Sequence, residues 1–315
     1  MRADRVLAGA IALGSLVAAP LAAAAAPAES KRPRPAADAV PIAAPASVVP
    51  AVTSASAGGL RPVAPRALDE LVIDHEVGAV LTLQNDQRYG KAGTQYSRST
   101  VALDRNLFAV TRTSTEARFL GRHTVVLLYA PLDVPTRVTL DAPLTFRGTT
   151  FAAGTVVNHR YLFDGIRATY MYRFYEGAGL QLDGGATLGV RNAEVSLTSA
   201  NGEQFAAERD IGPVPALRGR LRYDAGQGLY ALYDLDWLYT PGGLTGASIR
   251  GGVCDTSLTL GIPLQTGLDA TLRLRYLAGG AEVPGREIFN WGQFVSATAG
   301  FRFSPMAFWD APSRR

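Results

Sequence analysis

The residues able to do acid–base or nucleophilic chemistry are few. The chain has three histidines, His75, His123 and His159, and one cysteine, Cys254. A hydrolytic site needs a nucleophile within hydrogen-bond reach of a base that a third group orients. Asp74-His75-Glu76 comes nearest to that pattern. On an extended chain, however, the two acids share one face and His75 lies on the other, with Ile73 and Val77. His123 shares parity with Phe119, Val125 and Leu127, and His159 with Val157 and Tyr161. No serine stands two residues from any histidine, the spacing that would put both on one strand face. No catalytic residue is therefore expected. His75 and His123 read as structural or interfacial side chains.

Metal and cofactor chemistry fare no better. There is no His-x-x-x-His pair and no dense carboxylate loop. Gly251-Gly252 and Gly279-Gly280 read as turn or bulge glycines, not as a phosphate cradle. A single cysteine excludes an internal disulfide framework and a thiolate zinc cluster, so Cys254 is expected as a packed or lumen-facing thiol. No cofactor is expected. Asp234 and Asp236 point to one side, and the row Arg218, Arg220, Arg222 precedes them. This spacing suits a cross-strand salt-bridge ladder better than a calcium site.

That arginine row is part of a wider bias. Of 31 basic residues only Lys31 and Lys91 are lysines, and 27 acids leave a net charge of +4. The balance argues against a nucleic-acid binder. Arginine suits a crowded interior, because its planar fork holds several carboxylate bonds at once. With 47% hydrophobic and 18% charged residues the chain is not a wholly disordered one. A mean hydropathy near zero looks soluble on average, and the arrangement of the residues says otherwise.

Residues 1–26 read as a signal peptide: Arg2 and Arg5, an uncharged apolar run from Val6 to Ala26, and small residues at Ala24 and Ala26. This implies export through the Sec pathway. Residues 27–66 carry eight prolines and many alanines without hydrophobic period, and read as a disordered linker. From Leu71 the chain alternates apolar and polar residues with period two. Ile166, Ala168, Tyr170, Tyr172 and Phe174 alternate with Arg167 and Arg173. Leu180 to Val190 alternate with Asp183. Leu217, Leu221 and Tyr223 alternate with the arginine row and Asp224. Leu229, Tyr233, Leu235 and Trp237 alternate with Asp234 and Asp236. Leu268 to Tyr276 alternate with Asp269, Arg273 and Arg275.

Runs of about 9–11 residues match a tilted membrane-crossing strand, whereas soluble strands average about 5–6. The apolar faces end in aromatics, Tyr170, Tyr172, Phe174, Tyr223, Tyr233, Trp237, Tyr276, Phe301 and Phe303, placed as interface belts. The fold class that follows is all-β, an antiparallel transmembrane β-barrel of about ten strands (8–12) over residues 67–303, with a tail at 304–315. Expected strand cores are 71–83, 115–129, 150–162, 165–175, 179–191, 214–224, 228–238, 246–260, 267–277 and 293–303. Asp164-Gly165 and Gly226-Gln227-Gly228 are expected as short turns. Longer connections are expected at 84–114, 192–213, 239–245 and 278–292, and 131–149 is expected as a loop or an irregular strand extension. A soluble β-sandwich is the competing fold.

Arg191-Asn192-Ala193-Glu194 at a strand exit, Arg275 to Glu282 after a strand, and Phe289-Asn290-Trp291 before the last strand resemble a family of small uncharacterised bacterial outer-membrane β-barrel proteins. The resemblance implies a barrel in the outer membrane and no catalytic residues. The expected partners are outer-membrane lipid and the outer-membrane assembly machinery, which reads an aromatic last strand such as Ala299 to Phe303. An eight-stranded barrel is just filled by side chains, while open pores take about 16 strands or more. At ten, Arg167, Arg173, Asp183, Arg218, Arg220, Arg222, Asp224, Asp234, Asp236, Asp269, Arg273 and Arg275, with Asp74, Glu76 and Arg302 also inward, are expected to fill the lumen as a charge network. The expected role is structural or loop-mediated. A narrow channel for small anions, and less favoured a lipid-modifying barrel enzyme, are the alternatives.

Overall fold

The computed structural model describes residues 67–242 and 249–310. The expected signal peptide and linker lie outside the described residues. Alternation produces strands of up to 22 residues: β1 (Leu68–Tyr89), β2 (Phe108–Phe119), β3 (His123–Tyr129), β4 (Leu132–Thr139), β5 (Leu144–Phe146), β6 (Thr149–Phe151), β7 (Val156–Gly177), β8 (Leu180–Ser199), β9 (Phe205–Gly226), β10 (Leu229–Thr240), β11 (Arg250–Gln265), β12 (Leu268–Val283) and β13 (Ile288–Phe303). One short helix, α1 (Pro305–Asp310), follows the last strand in the segment expected as a tail.

The sheet runs β3-β2-β1-β13-β12-β11-β10-β9-β8-β7-β4, and β3 also pairs β7, which closes it. β7 holds both short strands in one register line, Tyr129 opposite Ile166 and Leu132 opposite Phe163. β3 and β4 are thus one stave broken at Ala130-Pro131, where proline removes a ladder donor. Ten antiparallel staves result, and the expected fold class is borne out. The β5–β6 hairpin stands apart, in the connection between β4 and β7.

The count of ten came from two compensating differences. The expected strand 115–129 is two strands, turned at Leu120 and Gly121, which both have positive φ (52° and 74°). The expected cores 150–162 and 165–175 are one strand: Asp164-Gly165 is not a turn but continues β7 opposite Asn192 and Arg191 of β8. Likewise 192–213 is not a long connection. β8 and β9 run on, and only residues 200–204 link them. β12 reaches Val283, so Arg275 to Glu282 lies within a strand and the connection is 284–287. The long connection after β1 shrinks to residues 90–107. Part of the 239–245 connection lies outside the described residues.

Along the outer face, Ile73, Val77, Leu127, Ile166, Tyr170, Leu188, Val190, Leu217, Leu258, Leu260, Leu272 and Leu274 are exposed and form an apolar belt. Tyr172, Phe174, Tyr223 and Phe301 are exposed near the end where Ala178-Gly179, Gln227-Gly228 and Gly267 make tight turns. Phe303 lies there too, its ring 5.5 Å from that of Phe308 in α1. Trp237 is exposed nearer the loop end of β10, and Tyr233 and Tyr276 are half-buried on the outer face. The aromatics therefore occupy the outer face.

Strands of 22 residues exceed the 9–11 that lipid requires. The surplus stands beyond the belt at the loop end, where the outer face turns polar, with exposed Asp133, Arg137, Asn158 and Arg160. Inside this extension lies an apolar core that sequence reading did not foresee. Tyr96, Val101 and Leu103 from the 90–107 loop and Leu144, Phe146 and Phe151 from the hairpin pack on Val134, Val157, Tyr161, Val195, Leu197 and Phe294. Thr136 donates to the Val101 carbonyl at 2.6 Å, and Tyr96 to the Gln87 amide oxygen at 3.1 Å. Two loops thus fill the mouth of the barrel.

Closure of β1 on β13 depends on Gly78, where a Cβ atom would stand 2.1 Å from the Ala297 carbonyl oxygen. Gly78→Val should lose most of the heat-modifiable, folded species on a semi-native gel, since overpacking of this kind costs at least about 1–3 kcal/mol. Gly212→Val, where a Cβ atom meets nothing within 4 Å, should migrate as wild type.

Candidate functional site inside the barrel

The inward faces of the belt-level strands carry most of the charged residues picked out by alternation. In the β9–β10 ladder Asp234 stands opposite Arg220 and Asp236 opposite Arg218, so the proposed register is met. Asp234 accepts from Arg220 Nε at 2.8 Å and from Arg218 Nη2 at 2.5 Å. Asp236 accepts from Arg218 Nη1 at 3.1 Å and from Arg167 Nη1 at 3.2 Å. Arg167 also reaches Asp255, which holds Arg275 through two bonds of 2.6 and 2.7 Å. In the other direction Arg220 donates to Glu116 at 2.7 Å. Glu116 lies 3.4 Å from Arg302, Arg302 lies 3.9 Å from Asp74, and Asp74 lies 3.7 Å from Arg273. Arg273 ends the series on Glu76 at 2.7 Å.

Traced through, this is one unbroken alternation: Glu76, Arg273, Asp74, Arg302, Glu116, Arg220, Asp234, Arg218, Asp236, Arg167, Asp255, Arg275. Six carboxylates meet six guanidiniums. Hydroxyls add further donors: Thr187 to Asp236 at 2.7 Å and Thr298 to Glu76 at 2.8 Å. Every member is buried or nearly so, which is tolerable because each charge has an opposite neighbour.

Five expected members stand apart. Arg173 and Asp183 form a separate buried pair at 3.0 Å, across the β7–β8 ladder. Arg222 and Asp224 pair at 2.8 Å at the turn end, partly exposed, with the Arg222 guanidinium 3.8 Å over the Tyr230 ring. Asp269 is opposite Arg302 in the β12–β13 ladder, but Arg302 turns to Glu116 and Asp74, and Asp269 is outside the chain of pairs.

Sequence reading missed Glu116, Asp255 and Arg112. The expected strand 115–129 runs across the turn at Leu120-Gly121, which leaves the parity of Glu116 unanchored. Asp255 begins a clear alternation, with Ser257 and Thr259 inward and Leu258 and Leu260 outward, that the preceding glycine pair obscured. Cys254 consequently falls on the outer face, half-buried opposite Trp237, and is not lumen-facing.

The histidines take no part. His75 is exposed on the outer face, 2.8 Å from Thr113 Oγ1. His123 sits among outer-face aromatics, stacked on Phe119 and 2.7 Å from the Tyr170 hydroxyl. His159 lies in the extension, beyond the belt, 1% exposed beneath Tyr96. Burial without a counter-charge pushes its pKa down to about 3 from 6.5.

At the loop end a second set of charges clasps the connections. Arg147 of the hairpin bonds Glu208 of β9, and Arg286 reaches Glu208 at 2.8 Å and Asp210 at 3.3 Å. Gly90 donates to the Glu287 carbonyl at 3.0 Å.

No family model matches the chain, and no curated protein matches it. Among solved structures it is similar to the outer membrane protease OmpT of Escherichia coli (10% identity, TM-score 0.48, covering 77% of this chain and 98% of that one). It is also similar to Ail, the attachment invasion locus protein of Yersinia pestis, in complex with the heparin analogue sucrose octasulfate (10% identity, TM-score 0.35, 74% and 99%). A further match is the P. putida toluene transporter TodX (9% identity, TM-score 0.31, 75% and 90%).

Asp234→Ala removes the carboxylate shared by Arg218 and Arg220 and should cost about 3–5 kcal/mol of unfolding free energy in lipid vesicles. Arg222→Gln, at the exposed turn end, should cost under about 1 kcal/mol. For His159 the unfolded chain takes up a proton below about pH 6.5 that the folded chain refuses until about pH 3. Stability should therefore fall with acidification across that window, at up to about 1.4 kcal/mol per pH unit. His159→Asn should remove that slope when its urea midpoints are compared with wild type.

Proposed function

We propose that this chain is a closed outer-membrane barrel with a structural or loop-mediated role, and not a porin or an enzyme. The observation that carries the reading is the doubly filled lumen. At belt level the arginine–carboxylate chain occupies the interior, and above it two loops pack an apolar core into the mouth. Between the two lies a cavity of only about 40 Å³, room for one or two water molecules. Hydrated ions need a continuous wet path, and this double filling argues against one.

The non-enzymatic part of the proposal is supported by the partners of the histidines, which are Thr113, Tyr170 and Thr136 and no carboxylate. The loop-mediated part is supported by the clasp at the loop end. Loops fixed by packing and by Arg147, Arg286 and Glu208 present a preorganised surface, which lowers the ordering cost of binding. In the usual arrangement of such barrels the short turns face the periplasm and the longer loops face outward. Export through the Sec pathway and insertion by the outer-membrane assembly machinery, through β13, complete the proposal.

The channel alternative is decided in planar bilayers. Purified protein should give no stepwise conductance, and Arg220→Glu should not change that silence. Sustained single-channel steps from the wild-type protein would overturn the closed reading.

A further inference from the structure

The chain of twelve alternating charges is neutral, yet one more arginine lies beside it. Arg112 projects inward from β2, opposite Glu76 in the β1–β2 ladder. Glu76 Oε2 accepts from Thr298 at 2.8 Å, while Oε1 stands 2.7 Å from Arg273 as an ion pair without a hydrogen bond. Arg112 itself makes no hydrogen bond or ion pair among the described residues. The two ends of the chain, Glu76–Arg273 and Asp255–Arg275, meet at the cavity of about 40 Å³ that Arg112 lines, together with Arg167 and Ser296. Arg273 is 6% exposed, and its Nε is buried there without a hydrogen-bond partner.

Four guanidiniums thus converge on a space with one positive charge in excess. Arginine cannot shed its proton to relieve that excess, and a half-buried cation set among other guanidiniums without a counter-charge of its own is costly. We propose that this cavity binds a small monovalent anion of halide size, held by Arg112 and the free Nε of Arg273, as the counter-ion that completes the charge chain. A space of about 40 Å³ among guanidiniums suits a single small anion, and a halide is the simplest probe of it. This inference deepens the closed-barrel reading and is testable apart from it: an occupied site in a silent barrel is a static counter-ion. Conductance with the site occupied would end the closed reading and leave the site standing.

The test uses the full-length protein in detergent. Crystals soaked in sodium bromide should show an anomalous peak at the guanidinium of Arg112. Thermal unfolding should rise by a few degrees from sodium isethionate to sodium bromide at equal ionic strength, as expected for a ligand that binds only the folded state. Arg112→Gln should lose both the peak and the bromide dependence, and Arg222→Gln should keep both. The wild-type soak carries the test even if the Arg112 variant folds poorly. A cavity without an anomalous peak, with equal melting in the two salts, would overturn the proposal.

Discussion

A guanidinium cannot give up its charge, so every arginine carried into a barrel must be met by something negative. This constraint organises the belt-level interior. The inward faces of β1, β2, β7, β9, β10, β11, β12 and β13 each contribute to a single line in which cation and anion take turns. Such a line is not chosen for raw stability, because well-packed apolar residues of similar volume serve as well or better. What it achieves is filling. Long, forked side chains cross a lumen somewhat wider than the one that eight strands enclose, and each link needs its neighbours. The interior therefore behaves as a unit, and losing one member strands two others.

Much of this was legible in the chain, and the physical reason is periodicity. Where a strand alternates without interruption, as Arg218 to Tyr223 and Leu229 to Trp237 do, parity alone assigns lumen and lipid faces, and the facing rows follow from the hairpin register. Where the backbone breaks pattern, parity is lost. β1 slips register between Thr82 and Gln84, so the inward set passes from Asp74, Glu76 and Thr82 to Asn85, Gln87 and Tyr89. Leu120-Gly121 turned a strand that looked continuous, and Asp164-Gly165 looked like a turn inside a strand that runs straight through. Turn residues state that a turn is allowed, and neighbouring strands decide whether it forms.

The apolar core at the loop end was illegible for a different reason. Tyr96, Val101, Phe146 and Phe151 belong to connections with no period, and their burial depends on the space between strands that outrun the membrane. That space exists because β7, β8 and β9 are 20–22 residues long while β10 stops at 12. The lower barrel is filled by strand residues facing inward, and the upper one by loops folding down. Polar chemistry fills the part in lipid and apolar chemistry fills the part in water, an inversion of the usual soluble order.

The uneven stave lengths have one more consequence. Among the described residues β4 has a strand partner on one side only, and so has β9 from Phe205 to Ala216. Pro135, Pro213 and Pro215 lie in these one-sided stretches, the places where a sheet accepts proline. Backbone groups along such margins need water or loop partners and are penalised in hydrocarbon. They act as a waterline: the barrel can settle into the bilayer only as far as its fully paired zone extends, and deeper immersion would drag bare peptide groups into oil. The depth of the protein is thus written in where its ladders end, in addition to where its aromatic residues stand.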